Sequence, residues 1–242
     1  MENETKIGMN RTGMQMSPFE GPDQVEFARQ QMPNPAEGGV DMMAAVRAEY
    51  ISQAPRIGSV PVPGTGKGML ETAMGKIKGK NPEVLIDKLG QRLAYERSGV
   101  RLYQAMITKV QAGDDSRRAE LAAALQHICN EEAEHFRMLT NVMAELGADP
   151  TAQTPCADVS GVASMGLLQV VTDPRTTVAQ SLEAMLTAEL TDNAAWEILI
   201  ELTTEAGYDD IAARFSDALA AEQQHLSTVK QWLRELVMSD AT

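Results

Sequence analysis

The sequence predicts an all-α protein: a four-helix bundle with one long crossover between helices two and three. Three observations predict it. Aromatic residues make up only 4% of the 242-residue chain while Ala, Leu, Met and Glu abound, a mix that favours helices over sheets. Beyond residue 80, four stretches of roughly 30 residues carry apolar side chains at alternating steps of three and four, which places them on one helix face. The first and third connections are short and the middle one runs to about 25 residues, so two antiparallel hairpins are joined along the bundle's length.

Each element has its own signals. The first long helix opens at Asn81-Pro82-Glu83, a cap residue, a proline at the first helical position and an acid, and runs to about Ala112. Gly113-Asp114-Asp115-Ser116 is a stop, a turn and a new cap, and the second helix ends on Gly147 after Leu146. The crossover has a broken pattern, with a short helix at Ser160 to Val171. Asp173-Pro174 starts the third helix and Gly207 closes it; Asp209 or Asp210 caps the fourth, which ends near Met238. Helices of this size are about 45 Å long.

Residues 1–80 differ in kind from the bundle at 81–242. They are rich in Gly, Pro, Met and Gln and hold nine of the fifteen methionines, so this arm has little core of its own and is expected to be partly disordered. Short helices are expected over Val40 to Gln53 and Lys67 to Lys78. Gly64-Thr65-Gly66-Lys67-Gly68 lacks the Gly and the Ser or Thr that a phosphate loop needs at 61 and 68, where Pro61 and Gly68 stand. Lys67, Lys76, Lys78 and Lys80 form a small basic group on a solvated linker helix. The arm carries nine basic and nine acidic residues, so the whole net charge of −13 lies in the bundle. An acidic bundle is a poor ligand for nucleic acid or anionic membrane and attracts cations. Two cysteines, Cys129 and Cys156, without a pairing framework suggest a reducing compartment; with no signal peptide and no membrane-length apolar run, a cytoplasmic location is expected.

Chemistry interrupts the apolar stripes. In the second helix the stripe reads Leu125, Ile128, Glu132, His135, Leu139, and in the fourth Phe215, Ala218, Glu222, His225, Val229. The first and third each have a glutamate at mid-stripe, Glu96 and Glu189, and the third adds Asp192 one turn on. A buried lone carboxylate costs several kcal/mol, so these positions need a compensating partner, a cation before any other. The order Glu, Glu-x-x-His, Glu, Glu-x-x-His is the ligand pattern of two-metal carboxylate bundles. In an antiparallel hairpin, residues at one height have their midpoint in the turn. Glu96 and the centre of Glu132/His135 average to about residue 115, and Glu189 and the centre of Glu222/His225 to about 206, so each ligand set is level within its hairpin.

Over about residues 82–238 the chain resembles the ferritin-like di-metal carboxylate superfamily, bacterioferritin and rubrerythrin in particular. The resemblance implies that Glu96 and Glu189 each hold one metal terminally, that Glu132 and Glu222 bridge, and that His135 and His225 each complete one metal. It also implies that Tyr103 lies near the metals and that Asp192 stands where rubrerythrins carry an extra carboxylate. No Cys-x-x-Cys pair is present for a rubredoxin-type module, no fifth helix follows Met238, and the arm has no counterpart.

A bundle of ion pairs without metal would set four buried carboxylates against two imidazoles, whereas two divalent cations balance the carboxylates. The resemblance implies that Glu131, just before Glu132, orients His225, with a solvated surface glutamate as the equal alternative; the equivalent position before Glu222 is Ala221, Cys129 reads as a buried inert thiol, His127 as a surface residue, and Trp196 and Trp232 as core. The expected cofactor is two metal ions, iron first, with manganese or a mixed Mn/Fe pair as alternatives. The expected function is a ferroxidase or peroxidase-type oxidoreductase reacting with O2 or H2O2. The alternatives are iron storage or metal handling, including as the cargo of a shell, and a purely structural metal staple. A homodimer or higher homo-oligomer is expected.

Overall fold

The computed structural model describes residues 17–32, 39–62, 66, 68, 81–113 and 116–241. The helix expected from Lys67 to Lys78, the four-lysine group, Asp114 and Asp115 of the first turn, and the arm's end at residue 80 lie outside these residues. The chain forms two compact units, one over Glu4–Ile57 and one over Gly58–Thr242 with Met1–Asn3.

In the first unit the described elements are α1 (Glu20–Gln31) and α2 (Gly39–Gln53). The second corresponds to the expected helix; the first was not anticipated, and it holds Gly21 and Pro22 in its first turn. Proline costs nothing in a helix's first turn, where its missing N–H has no acceptor, and Glu20 and Asp23 suit the positive end of the helix dipole. Neither helix builds a core: Gly21 is the sole buried residue of α1, and residues 41–53 are all exposed.

The second unit is the bundle: α3 (Pro82–Ala112), α4 (Arg118–Glu145), α5 (Pro155–Thr172), α6 (Val178–Ala206) and α7 (Asp209–Asp240). No strand occurs among the described residues. α3 pairs with α4 and α6 with α7; α3 also packs on α6, and α4 on α7, closing a four-sided bundle. The crossover from Leu146 to Thr177 carries α5, which packs on α3 and α6.

Four helix starts differ from the sequence reading: α4 follows Arg117 and not a Ser116 cap, α7 follows Tyr208 with Asp209 and Asp210 inside its first turn, and the starts of α5 and α6 are shifted. The crossover helix begins five residues early: the Thr154 side chain accepts from the Ala157 N–H, and Pro155 occupies the first turn, a start signal hidden by the polar residues around it. Asp173-Pro174 does not start a helix. Asp173 turns its carboxylate onto Arg175, whose backbone N–H and guanidinium both donate to it, and Lys109 Nζ donates to the carbonyls of Asp173 and Thr176. The helix begins instead behind a reciprocal cap in which Thr177 accepts from the Gln180 N–H and the Gln180 side chain accepts from the Thr177 N–H. Asn81 precedes α3 without a side-chain cap. Gly207, at φ +88°, ends α6 in the left-handed region that favours glycine and permits the two-residue reversal into α7.

The apolar core is in two parts. One, at the α3–α4 turn end, includes Leu102, Met106, Leu125, Ile128, Leu182, Met185 and Val229. The other includes Leu89, Leu93, Leu139, Val142, Met143, Trp196, Leu199 and Phe215. A polar layer, contributed by the interrupted stripes, lies between them.

Candidate metal centre

The layer is a set of side chains from α3, α4, α6 and α7. Glu96, Glu132, Glu189, Glu222, His135 and His225 are all buried. Glu132, Glu189, Glu222 and His225 form one group and Glu96, His135 and Glu222 a second, each offering donor atoms within 4.8 Å of one another. Glu222 belongs to both. Its Oε1 lies 2.6 Å from His135 Nδ1 and its Oε2 lies 3.0 Å from His225 Nδ1, so one carboxylate spans the two halves. His135 Nδ1 is also 3.8 Å from Glu96 Oε2, and His225 Nδ1 is 3.5 Å from Glu132 Oε1. Both imidazoles turn Nδ1 inward. On its outer side His225 Nε2 meets Glu131 Oε2 at 2.9 Å, and Glu131 also lies 3.6 Å from the exposed His127.

Whether the donors fit metal ions is tested by atoms that lack partners. Glu96 Oε2, Glu189 Oε2, Glu222 Oε1 and His135 Nδ1 are buried and make no hydrogen bond. The 2.6 Å approach of Glu222 Oε1 to His135 Nδ1 is not aligned as a hydrogen bond, so each atom is left without a partner. Buried polar atoms are paired in nearly all folded proteins, so four orphans converging in one layer call for a shared cation. A second sign is Gly99. A Cβ there would collide with the Glu132 carboxylate, so the helix leaves a hollow in which that group sits. The donors fit a pair of metal ions.

Charge says the same. Burial, and then the neighbouring carboxylates, push Glu132 well above the usual carboxylate range. Burial also raises Glu96, against the pull of Arg92, and raises Glu189 to about 8 with help from Glu222. Glu222 alone goes down, to about 2: burial would raise it, but its two imidazole partners together outweigh that. His225 rises to about 11, its carboxylate neighbours overcoming desolvation. Without positive charge between them, these groups compete for protons.

Two further residues stand at the edge. The Tyr103 hydroxyl donates to Glu189 Oε1 at 2.5 Å, and burial with the surrounding carboxylates holds its proton on well above the ordinary phenol range. Asp192 is buried but turned towards α3, where its Oδ1 is ion-paired with the Arg92 guanidinium. Its Oδ2 is buried and makes no hydrogen bond. Arg92 was not singled out from the sequence. It is 2% exposed, its Nε donates to Glu96 Oε1 at 3.1 Å, and it lies between the Tyr95 and Trp196 rings, 4.6 and 5.4 Å from their centroids. The available signal was the Arg92/Glu96 spacing of four, which lets a cation reach a carboxylate one turn on. Cys129 is buried with Sγ 3.6 Å from the Val100 carbonyl, and Trp196 packs edge-on to His135 with centroids 5.9 Å apart.

The model of the ferritin-like domain family matches residues 86–238, which cover all four bundle helices, and the chain belongs to that family. A similar solved structure is the crystal structure of ferritin like, diiron-carboxylate proteins from Bacillus anthracis str. Ames, 20% identical, with a TM-score of 0.49 over 62% of this chain and 94% of that one. No curated protein matches the chain. Among the described residues no helix is long and apolar enough to cross a membrane.

Proposed function

We propose that the centre binds two ions, iron in first place, and that the protein is an oxidoreductase of the ferroxidase or peroxidase type. The observation that carries this reading is the convergence of two donor groups on one shared carboxylate, Glu222. In this reading Glu96 and Glu189 would each hold one ion, Glu132 and Glu222 would be shared by both, and His135 and His225 would each complete one ion. Two divalent iron ions, when bound, supply two electrons, which with two protons reduce H2O2 to two waters.

The chain's own residues set the conditions. The two apolar clusters above and below the layer exclude bulk water and keep side reactions away from it. Glu131 accepts from His225 Nε2, which fixes the ring and leaves Nδ1 as the inward donor. Tyr103 holds one Glu189 oxygen and keeps its proton at that position. Asp192 acts through Arg92 and not by direct contact.

The test begins with elemental analysis of protein purified without chelator, then anaerobic reloading with Fe(II) and mixing with H2O2 or O2. Two iron ions per chain, oxidised faster than free Fe(II) and turning over repeatedly with a reductant, support the enzyme. One oxidation per ion followed by retained iron supports storage instead. Oxidation no faster than in free solution overturns both. Manganese is tested by the same analysis.

A further inference from the structure

The terminal carboxylates of the two halves are held differently. Glu189 gives one oxygen to the Tyr103 hydroxyl, a neutral donor. Glu96 gives Oε1 to Arg92, which reaches it with both Nε at 3.1 Å and Nη2 at 3.0 Å. Arg92 is in turn pinned by Asp192 from α6, through Oδ1 and, more weakly, the backbone carbonyl at 3.5 Å. Only Oε2 of Glu96 is left facing His135. This half also has fewer donors, and His135 has no outer acceptor bonded to it among the described residues, whereas His225 has Glu131.

We infer that Arg92, held by Asp192, is a positioning residue that restricts Glu96 to one oxygen and places a positive charge beside it, making the His135 half the weaker and more exchangeable of two metal positions. The inference rests on the two-metal reading above. The sign follows from charge. Arg92 repels any cation at Glu96, and by Coulomb's law it repels a divalent ion about twice as strongly as a proton in the same place. Removing it therefore favours the metal over the competing proton. Two N–H groups on Glu96 Oε1 also occupy the lone pairs that a metal bond at that oxygen would need. The His225 half feels neither effect, so the first ion fills it and the second enters the Arg92 side.

The experiment is a titration of the metal-stripped full chain with Co(II), followed by calorimetry and by visible absorption. The native chain should bind two ions in two steps, separated by about tenfold or more, the size of effect that removal of an outer partner has on a metal site. In the double variant R92M/D192L, which removes one charge of each sign, the weaker step should tighten about tenfold and the tighter step stay put. Asp192→Asn is nearly isosteric and releases Arg92 from its counter-charge, so it should weaken the second step further. Arg92→Lys keeps the charge but not the two-pronged hold on Glu96, so its second step should fall between those of the native chain and the double variant. Two equal steps in the native chain overturn the inference. So does an unchanged second step in the double variant, or a fall of both steps together with Tm, which a merely structural pair would give. If the double variant does not fold, the Asp192→Asn result decides alone: an unchanged or tighter second step overturns the inference. Binding of fewer than two ions by the native chain sinks the two-metal reading itself, a separate failure.

Discussion

In the α3–α4 hairpin the terminal carboxylate Glu96 is gripped by a guanidinium, and in the α6–α7 hairpin its counterpart Glu189 is gripped by a phenol. The two hairpins supply the same donors in the same order, yet an Arg, an Asp and a Trp surround one half, and a Tyr and an outer Glu surround the other. Repetition of a ligand motif therefore does not make two equal sites. What a carboxylate can do for a metal depends on what holds its other oxygen.

That comparison can be broken outright at the one shared residue. Glu222→Ala should remove both ions, read as metal content falling to background. In the stripped protein, two imidazoles losing their common partner should cost about 3–5 kcal/mol of stability in denaturant titration. Retention of one ion would show that Glu222 serves a single half.

Glu131→Gln sharpens it. Loss of the carboxylate behind His225 should weaken the tighter binding step by about 10–100-fold and leave the weaker step alone. An equal effect on both steps would mean that the halves share their outer support.

Gly99→Ala tests the hollow under Glu132. The new methyl should push that carboxylate aside and weaken the tighter step about tenfold, while the gain in helix propensity, about 1 kcal/mol, offsets the crowding, so Tm moves little. Unchanged metal affinity would mean that Glu132 relocates without loss.

The smallest expected effect is a pH dependence confined to the metal-stripped chain. The folded-state value of Glu189 is raised to about 8, so its contribution to stability is complete below the ordinary carboxylate value and is lost as pH rises through about 8. The imidazole of His225, raised to about 11, contributes fully below the ordinary histidine value and loses this contribution as pH climbs towards 11, the same direction. Denaturant midpoints of the stripped protein should therefore fall between about pH 5 and pH 8, and those of the loaded protein should not. A rise over that range would mean that the carboxylates are not crowded.

Much of the fold was legible because helix periodicity and turn length are local. Stepping by three and four from Leu121 arrives at Glu132 and His135, stepping from Ile211 arrives at Glu222 and His225, and a short turn at Gly113 or Gly207 sets the height at which each pair meets its partner glutamate. The helix α1 and the start of α5 escaped because Pro22 and Pro155 break helices everywhere except in the first turn, and position within a helix is not visible before its boundary is known.

The sequence by itself determined that the four glutamates and two histidines of the interrupted stripes enter the bundle interior, and at what level, since both follow from 3.6 residues per turn and the lengths of two loops. The tertiary structure alone decided that Arg92 and Asp192, 100 residues apart, meet across the contact of α3 and α6, and that Gly99 faces Glu132 across α3 and α4. Those outcomes depend on how two helices are rotated against each other, which is set by packing over their whole length and not by the spacing of residues along either one.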